Sequence, residues 1–131
     1  MAYRYVFDDR HLLVYVYVSG EDSYADHIDR IRIITGDPRW ESGHSVLIDF
    51  SETTEFEITN AELQKIAAEQ RLQDVKIGSG KIAVVAPEDK IFGLTRMWEA
   101  FVESETSMMT MVFRNRKAAL QWLGVTGPND P

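Results

Sequence analysis

Two short apolar runs, SVLIDF at 45–50 and KIAVVA at 81–86, govern what this chain can become. Neither alternates polar with apolar residues, so each suits a strand covered on both faces, the usual state of a parallel strand. Each is followed by a stretch with helical hydrophobic spacing. A helix joining two parallel strands makes a right-handed crossover. The chain is therefore expected to wind as alternating strands and helices.

The remaining segments fit that pattern. Residues 3–7 and 12–19 are rich in aromatic and β-branched side chains and flank the polar turn Asp8-Asp9-Arg10-His11, which predicts a β-hairpin. Gly20-Glu21-Asp22-Ser23 reads as the end of the second strand, with Ser23 placed to cap a helix over 23–34. In that helix Tyr24, Ile28, Ile31 and Ile34 form the apolar face, with Asp26, Asp29 and Arg30 off it. Residues 51–57 read as a polar loop. Thr59 and Glu62 then form a capping box, and Ile58 and Leu63 are spaced for a hydrophobic staple, opening a helix that reaches about Asp74. Gly78-Ser79-Gly80 reads as a turn. Ile91, Leu94, Trp98 and Phe101 make an apolar stripe. Residues 108–113 read as a last strand, and Asn115 and Gly124 as the caps of a final helix. The expected order is β-β-α-β-α-β-α-β-α: an α/β domain with a mainly parallel mixed sheet of about five strands and an antiparallel strand at one edge. It spans residues 1–124 as one domain, with 125–131 as a disordered tail.

Composition narrows the function classes. With 131 residues and 44% hydrophobic content the chain can bury a core of its own. It has no cysteine, which removes disulfides, thiolate metal sites and cysteine nucleophiles and fits a reducing, cytoplasmic setting. A net charge of −7 opposes binding to a nucleic-acid backbone. No apolar run approaches the ~20 residues that span a bilayer.

KIAVVAP at 81–87, FGLTRMW at 92–98, and VFRN at 112–115 with AALQWLG at 118–124 occur in this order. Together they resemble the SpoIIAA-like branch of the STAS superfamily, bacterial proteins related in fold to anti-sigma-factor antagonists and compared with lipid-binding CRAL-TRIO domains. The resemblance covers residues 12–124 and implies a single STAS-type domain with no established reaction. Anti-sigma antagonists carry an Asp-Ser-Ser-Gly-like phosphorylation site at the entry to the second helix. This chain has Asp49-Phe50-Ser51, an acidic loop and Ile58-Thr59-Asn60 there instead. Thr59 stands near the phosphoacceptor position, but it is better explained as a cap, and Glu55 and Glu57 would repel a phosphate.

No catalytic constellation is evident. His11, His27 and His44 show no metal-ligand spacing, and no nucleophile-elbow motif is present. Neither a cofactor nor a resident metal is expected. Asp49 lies near the end of the expected parallel strand and is a candidate for orienting a ligand in the crevice at the carboxyl ends of the strands; it is equally a turn-capping residue. The candidate ligand or partner surface is Phe92, Arg96 and Trp98 on the helix starting near Asp89, with Gly93 suggesting a close approach there. Core packing is the competing explanation. Tyr15 and Tyr17 share one strand face, a candidate dimer or ligand patch if exposed. The expectation is a non-enzymatic regulatory or protein-interaction module, including a homodimer, or alternatively a carrier or sensor of a small apolar or amphipathic ligand.

Overall fold

The computed structural model describes residues 2–73, 77–78, 80–105 and 108–125. Among the described residues five strands and four helices follow the expected order: β1 (Ala2–Asp8), β2 (Leu13–Ser23), α1 (Tyr24–Thr35), β3 (Ser45–Glu57), α2 (Asn60–Leu72), β4 (Lys81–Val85), α3 (Asp89–Glu105), β5 (Met109–Phe113) and α4 (Arg116–Leu123). The strands lie side by side in sequence order. β1 pairs antiparallel with β2, and every later pairing is parallel.

Sequential order combined with right-handed crossovers places the three connecting helices on one face of the sheet. There Ile28 and Ile34 of α1, Leu63 and Ile66 of α2, and Ile91, Trp98 and Val102 of α3 pack on Val14, Val16, Val18, Ile82, Val84 and Val112. The opposite face carries Leu13, Tyr15, Leu47, Ala83 and Val85, covered by α4 through Ala119, Leu120 and Leu123. The two apolar runs thus alternate between two cores, which is why they lack polar positions.

Local chemistry sets the helix ends. Ser23 accepts from Asp26 N–H, Asn115 accepts from Ala118 N–H, and Gly124 closes α4 with a φ of 79°. Thr59 and Glu62 form the reciprocal capping box, with Ile58 and Leu63 both buried beside it.

Four expectations are corrected. β2 does not end at Gly20 but continues to Ser23, and residues 51–57 are not a loop but the second half of β3. The extensions pair with each other, Ser19 with Glu52 through Ser23 with Glu57, with register shifts between Tyr17 and Ser19 and between Gly20 and Glu21; the φ of 74° at Gly20 favours glycine. Arg30, placed off the apolar face of α1, is buried. Tyr15 is fully buried and Tyr17 half-buried beneath α4, so they form no open patch.

The loops entering β3 and β4 pack against each other at the amino ends of the strands. A side chain at Gly80 would place Cβ 2.3 Å from the His44 carbonyl oxygen, so that contact requires glycine. Val125 N–H still bonds the Leu120 carbonyl at 3.0 Å; the rest of the expected tail, 126–131, lies outside the described residues, as do Ser79 of the expected turn and Asp74.

Candidate functional site

β3 is the central strand, yet Val46 and Ile48 on its helix-covered face are only half-buried. α1 and α2 stand apart above them and leave a half-open cavity of about 60 Å³. Its floor is Val16, Val46, Ile48 and Ile82; Ile31 and Ile34 form the α1 wall, and Trp40, Ile77 and Met108 line the end nearest the starts of the strands. The polar groups are few: His27, Arg30 and Thr35 from α1 and Gln70 from α2.

Each of these is held by a partner. Arg30 sends Nη1 to Asp22 Oδ1 at 2.7 Å and Nη2 to Asp22 Oδ2 at 3.1 Å, and Nη2 also lies 2.9 Å from His27 Nδ1. Burial, aided by the neighbouring Arg30 charge, holds the His27 pKa well below its ordinary value. Gln70 Oε1 accepts from Trp98 Nε1 at 2.9 Å. Beside the cavity two links join the helices: Arg32 pairs with Glu69, and Thr35 Oγ1 lies 3.1 Å from Gln73 Oε1.

Of the sequence-derived candidates, Trp98 is buried at 4% exposure, and its one link to the cavity is the bond that orients Gln70. A void of only about 10 Å³ lies beside it, at the threshold for one water. Phe92 and Arg96 share the outer side of α3. Phe92 is half-buried under the Arg114 guanidinium, 4.0 Å from its ring centroid, while Arg96 is exposed and 3.6 Å from Glu99. The three do not line one surface. The close approach expected at Gly93 is also absent: the residue is exposed, and a side chain there would meet nothing within 4 Å.

Asp49 points to the α4 face, away from the cavity. Its Oδ1 caps Ser51 N–H at 2.8 Å, and its Oδ2 accepts from Arg116 Nη1 at 3.1 Å. Arg116 also donates to the Tyr17 hydroxyl at 2.8 Å, and Arg4 covers the other part of the Tyr17 ring at 4.0 Å. The turn-capping role applies, and the carboxylate is engaged by a cation of its own chain. The histidines are dispersed: His11 meets Asp8 at 2.9 Å, His27 meets Arg30, and His44 stacks on Trp40 at 5.2 Å.

No protein-family model matches the chain, and no curated protein matches it. Among solved structures, an uncharacterised protein of the DUF3478 family from Shewanella loihica PV-4, described as having a SpoIIAA-like fold, aligns with a TM-score of 0.58. The alignment covers 93% of this chain and 92% of that one at 15% identity. This chain has a SpoIIAA-like fold. Within the SpoIIAA-like frame Thr59 begins α2, exposed, with its hydroxyl accepting from Glu62 N–H at 3.2 Å. The cavity lies away from that helix start, toward the amino ends of the strands. No helix among the described residues is long and apolar enough to cross a membrane.

Sequence reasoning missed the cavity and its Asp22–Arg30–His27 border. For the Arg30–His27 contact alone a signal was available: three residues apart, they lie side by side on one helix flank.

Proposed function

We propose that this protein is a non-enzymatic regulatory module that seats a small apolar or amphipathic ligand between α1 and α2. The half-open apolar cavity over the central strand carries this reading. A central strand normally has its helix-covered face sealed, and here Val46 and Ile48 keep accessible apolar surface. Apolar walls with a few convergent polar groups are the ordinary composition of a small-ligand site. The SpoIIAA-like fold fits a regulatory module, and the chain's cysteine-free composition suits a cytoplasmic setting.

The test is to fill the cavity. Val46→Phe is expected to preserve the fold and to displace ligand. Native mass spectrometry of the protein from the cells that make it, compared with the denatured chain, should show a retained small mass that Val46→Phe lacks. A retained mass that persists in Val46→Phe would place the ligand elsewhere.

One observation favours a second reading, association with a protein or a second copy. Met109 and Met111, 57% and 41% exposed, project side by side from the edge strand β5. Met111→Glu would then abolish association and leave small-ligand retention intact.

A further inference from the structure

The geometry points to a cavity selective for small uncharged ligands that carry a hydrogen-bond acceptor, a carbonyl, ether or hydroxyl oxygen, read by the His27 Nε2–H. This rests on the cavity being the ligand seat. It adds which chemistry the seat accepts.

Arg30 fixes the tautomer. A guanidinium has donors and no acceptor, so at 2.9 Å the His27 Nδ1 must accept from Arg30 Nη2. In the neutral ring the single proton then resides on Nε2. The ring borders both the large cavity and the small void beside Trp98, and the residue is 7% exposed. Among the described residues none accepts from Nε2. An N–H oriented by its opposite nitrogen, on a ring that borders a half-open apolar space, is a donor available to an acceptor seated there.

Asp22 decides the charge preference. Its carboxylate takes both arms of Arg30, and the two side chains are 0% and 3% exposed, so the buried group is neutral as a whole. The other polar side chains lining the two spaces, including Thr35, Gln70 and Thr95, are uncharged. An anionic ligand would lose its hydration and meet an arginine already neutralised. A cation would find Asp22 occupied. A hydrocarbon would fit but leave the Nε2–H unpaired. An uncharged acceptor satisfies the donor with no ionic desolvation.

Size limits the ligand further. Cavities of about 150 Å³ enclose a benzene-sized molecule. At about 60 Å³ this one encloses less, so the acceptor end is held inside and the apolar body lies in the open mouth.

The probes are cyclopentanone, methylenecyclopentane of the same shape, and cyclopentanecarboxylate, titrated into the wild-type protein and followed by ¹H–¹⁵N NMR, including the His27 ring. The ketone is expected to bind about tenfold more tightly than the alkene, the worth of one such hydrogen bond, and to shift the Nε2–H resonance. The carboxylate should not bind at the cavity. His27→Phe should retain alkene binding and lose the tenfold preference. Equal binding of ketone and alkene, preferential binding of the carboxylate, or a ring protonated on Nδ1 instead of Nε2 overturns the selectivity while the seat stands. If neither neutral probe perturbs Val46, Ile48 or Ile34, the seat itself is refuted. The wild-type titrations and tautomer measurement decide these outcomes even if His27→Phe does not fold.

Discussion

Arg30 and Asp22 meet in a two-pronged ion pair inside the domain, at 2.7 and 3.1 Å, with neither side chain more than 3% exposed. The pair ties α1 to the far end of β2, where β2 continues past its bulge. Without that continuation Asp22 would not reach α1's inner flank.

Breaking the pair leaves one charge buried without compensation. Arg30→Met is expected to cost about 3–5 kcal/mol in urea unfolding. The double variant Arg30→Met/Asp22→Leu should cost much less than the two singles summed, because it removes both charges together. Additive losses would mean that the two side chains do not act as a pair.

Thr59 is expected to behave as a cap. Its hydroxyl accepts from Glu62 N–H at 3.2 Å, and Glu62 Oε1 accepts from Thr59 N–H at 2.9 Å. Thr59→Ala should lose about 1 kcal/mol of stability, and Thr59→Asp should keep most of it because a carboxylate accepts the same bond. Equilibrium unfolding of both variants checks this. Unchanged stability in Thr59→Ala would remove the structural account and return the position to the phosphoacceptor reading.

These caps were legible because they depend on residues three apart. The two apolar runs were legible because strands covered on both faces need no polar positions. The far half of β3 was not. It lies beyond the end of β4 and pairs only with β2, so its exposed positions Glu52, Thr54, Glu55 and Glu57 look like loop, with Thr53 and Phe56 turned inward. Arg30 was misplaced for a related reason: its burial depends on Asp22, eight residues earlier on another element. The cavity had no sequence signal, since it depends on how far apart α1 and α2 settle. Phe92, Arg96 and Trp98 drew attention as excess apolar and cationic residues. Trp98 belongs to the core, and Arg114 occupies the face of Phe92.

Arg116 is expected to hold the α4 face together. It spans from the start of α4 to Asp49 on β3 and Tyr17 on β2, at 3.1 and 2.8 Å. Arg116→Ala removes charged hydrogen bonds and leaves a mostly buried carboxylate, and should cost about 2 kcal/mol. Tyr17→Phe loses only the hydroxyl bond and should cost about 1 kcal/mol. Denaturant midpoints at constant slope measure both. Equal costs would show that Asp49 contributes nothing to the attachment.

Stability should fall as pH drops below about 6.5, with His27 responsible. In the folded protein burial, followed by the Arg30 charge, keeps the ring neutral far below its ordinary pKa of 6.5, whereas the unfolded chain takes up a proton near that value. Between the folded and unfolded pKa the unfolded state binds more protons, so the stabilisation present above pH 6.5 is lost as pH falls, by up to about 1.4 kcal/mol per unit. Glu99 acts in the opposite sense. Burial raises its folded pKa above 4.5, so its contribution is favourable at low pH and lost as pH rises through the folded value. Asp8 and Glu69 have folded values below their ordinary 3.8 and 4.5, so their losses begin only at lower pH. The window from about pH 6.5 down to 5 therefore isolates His27 against the opposing Glu99. Urea unfolding across that window should show falling stability in the wild type, and His27→Phe should flatten or reverse the slope. A wild-type profile that is level there, with His27→Phe identical to it, would mean that the ring is solvated enough to titrate in the folded state.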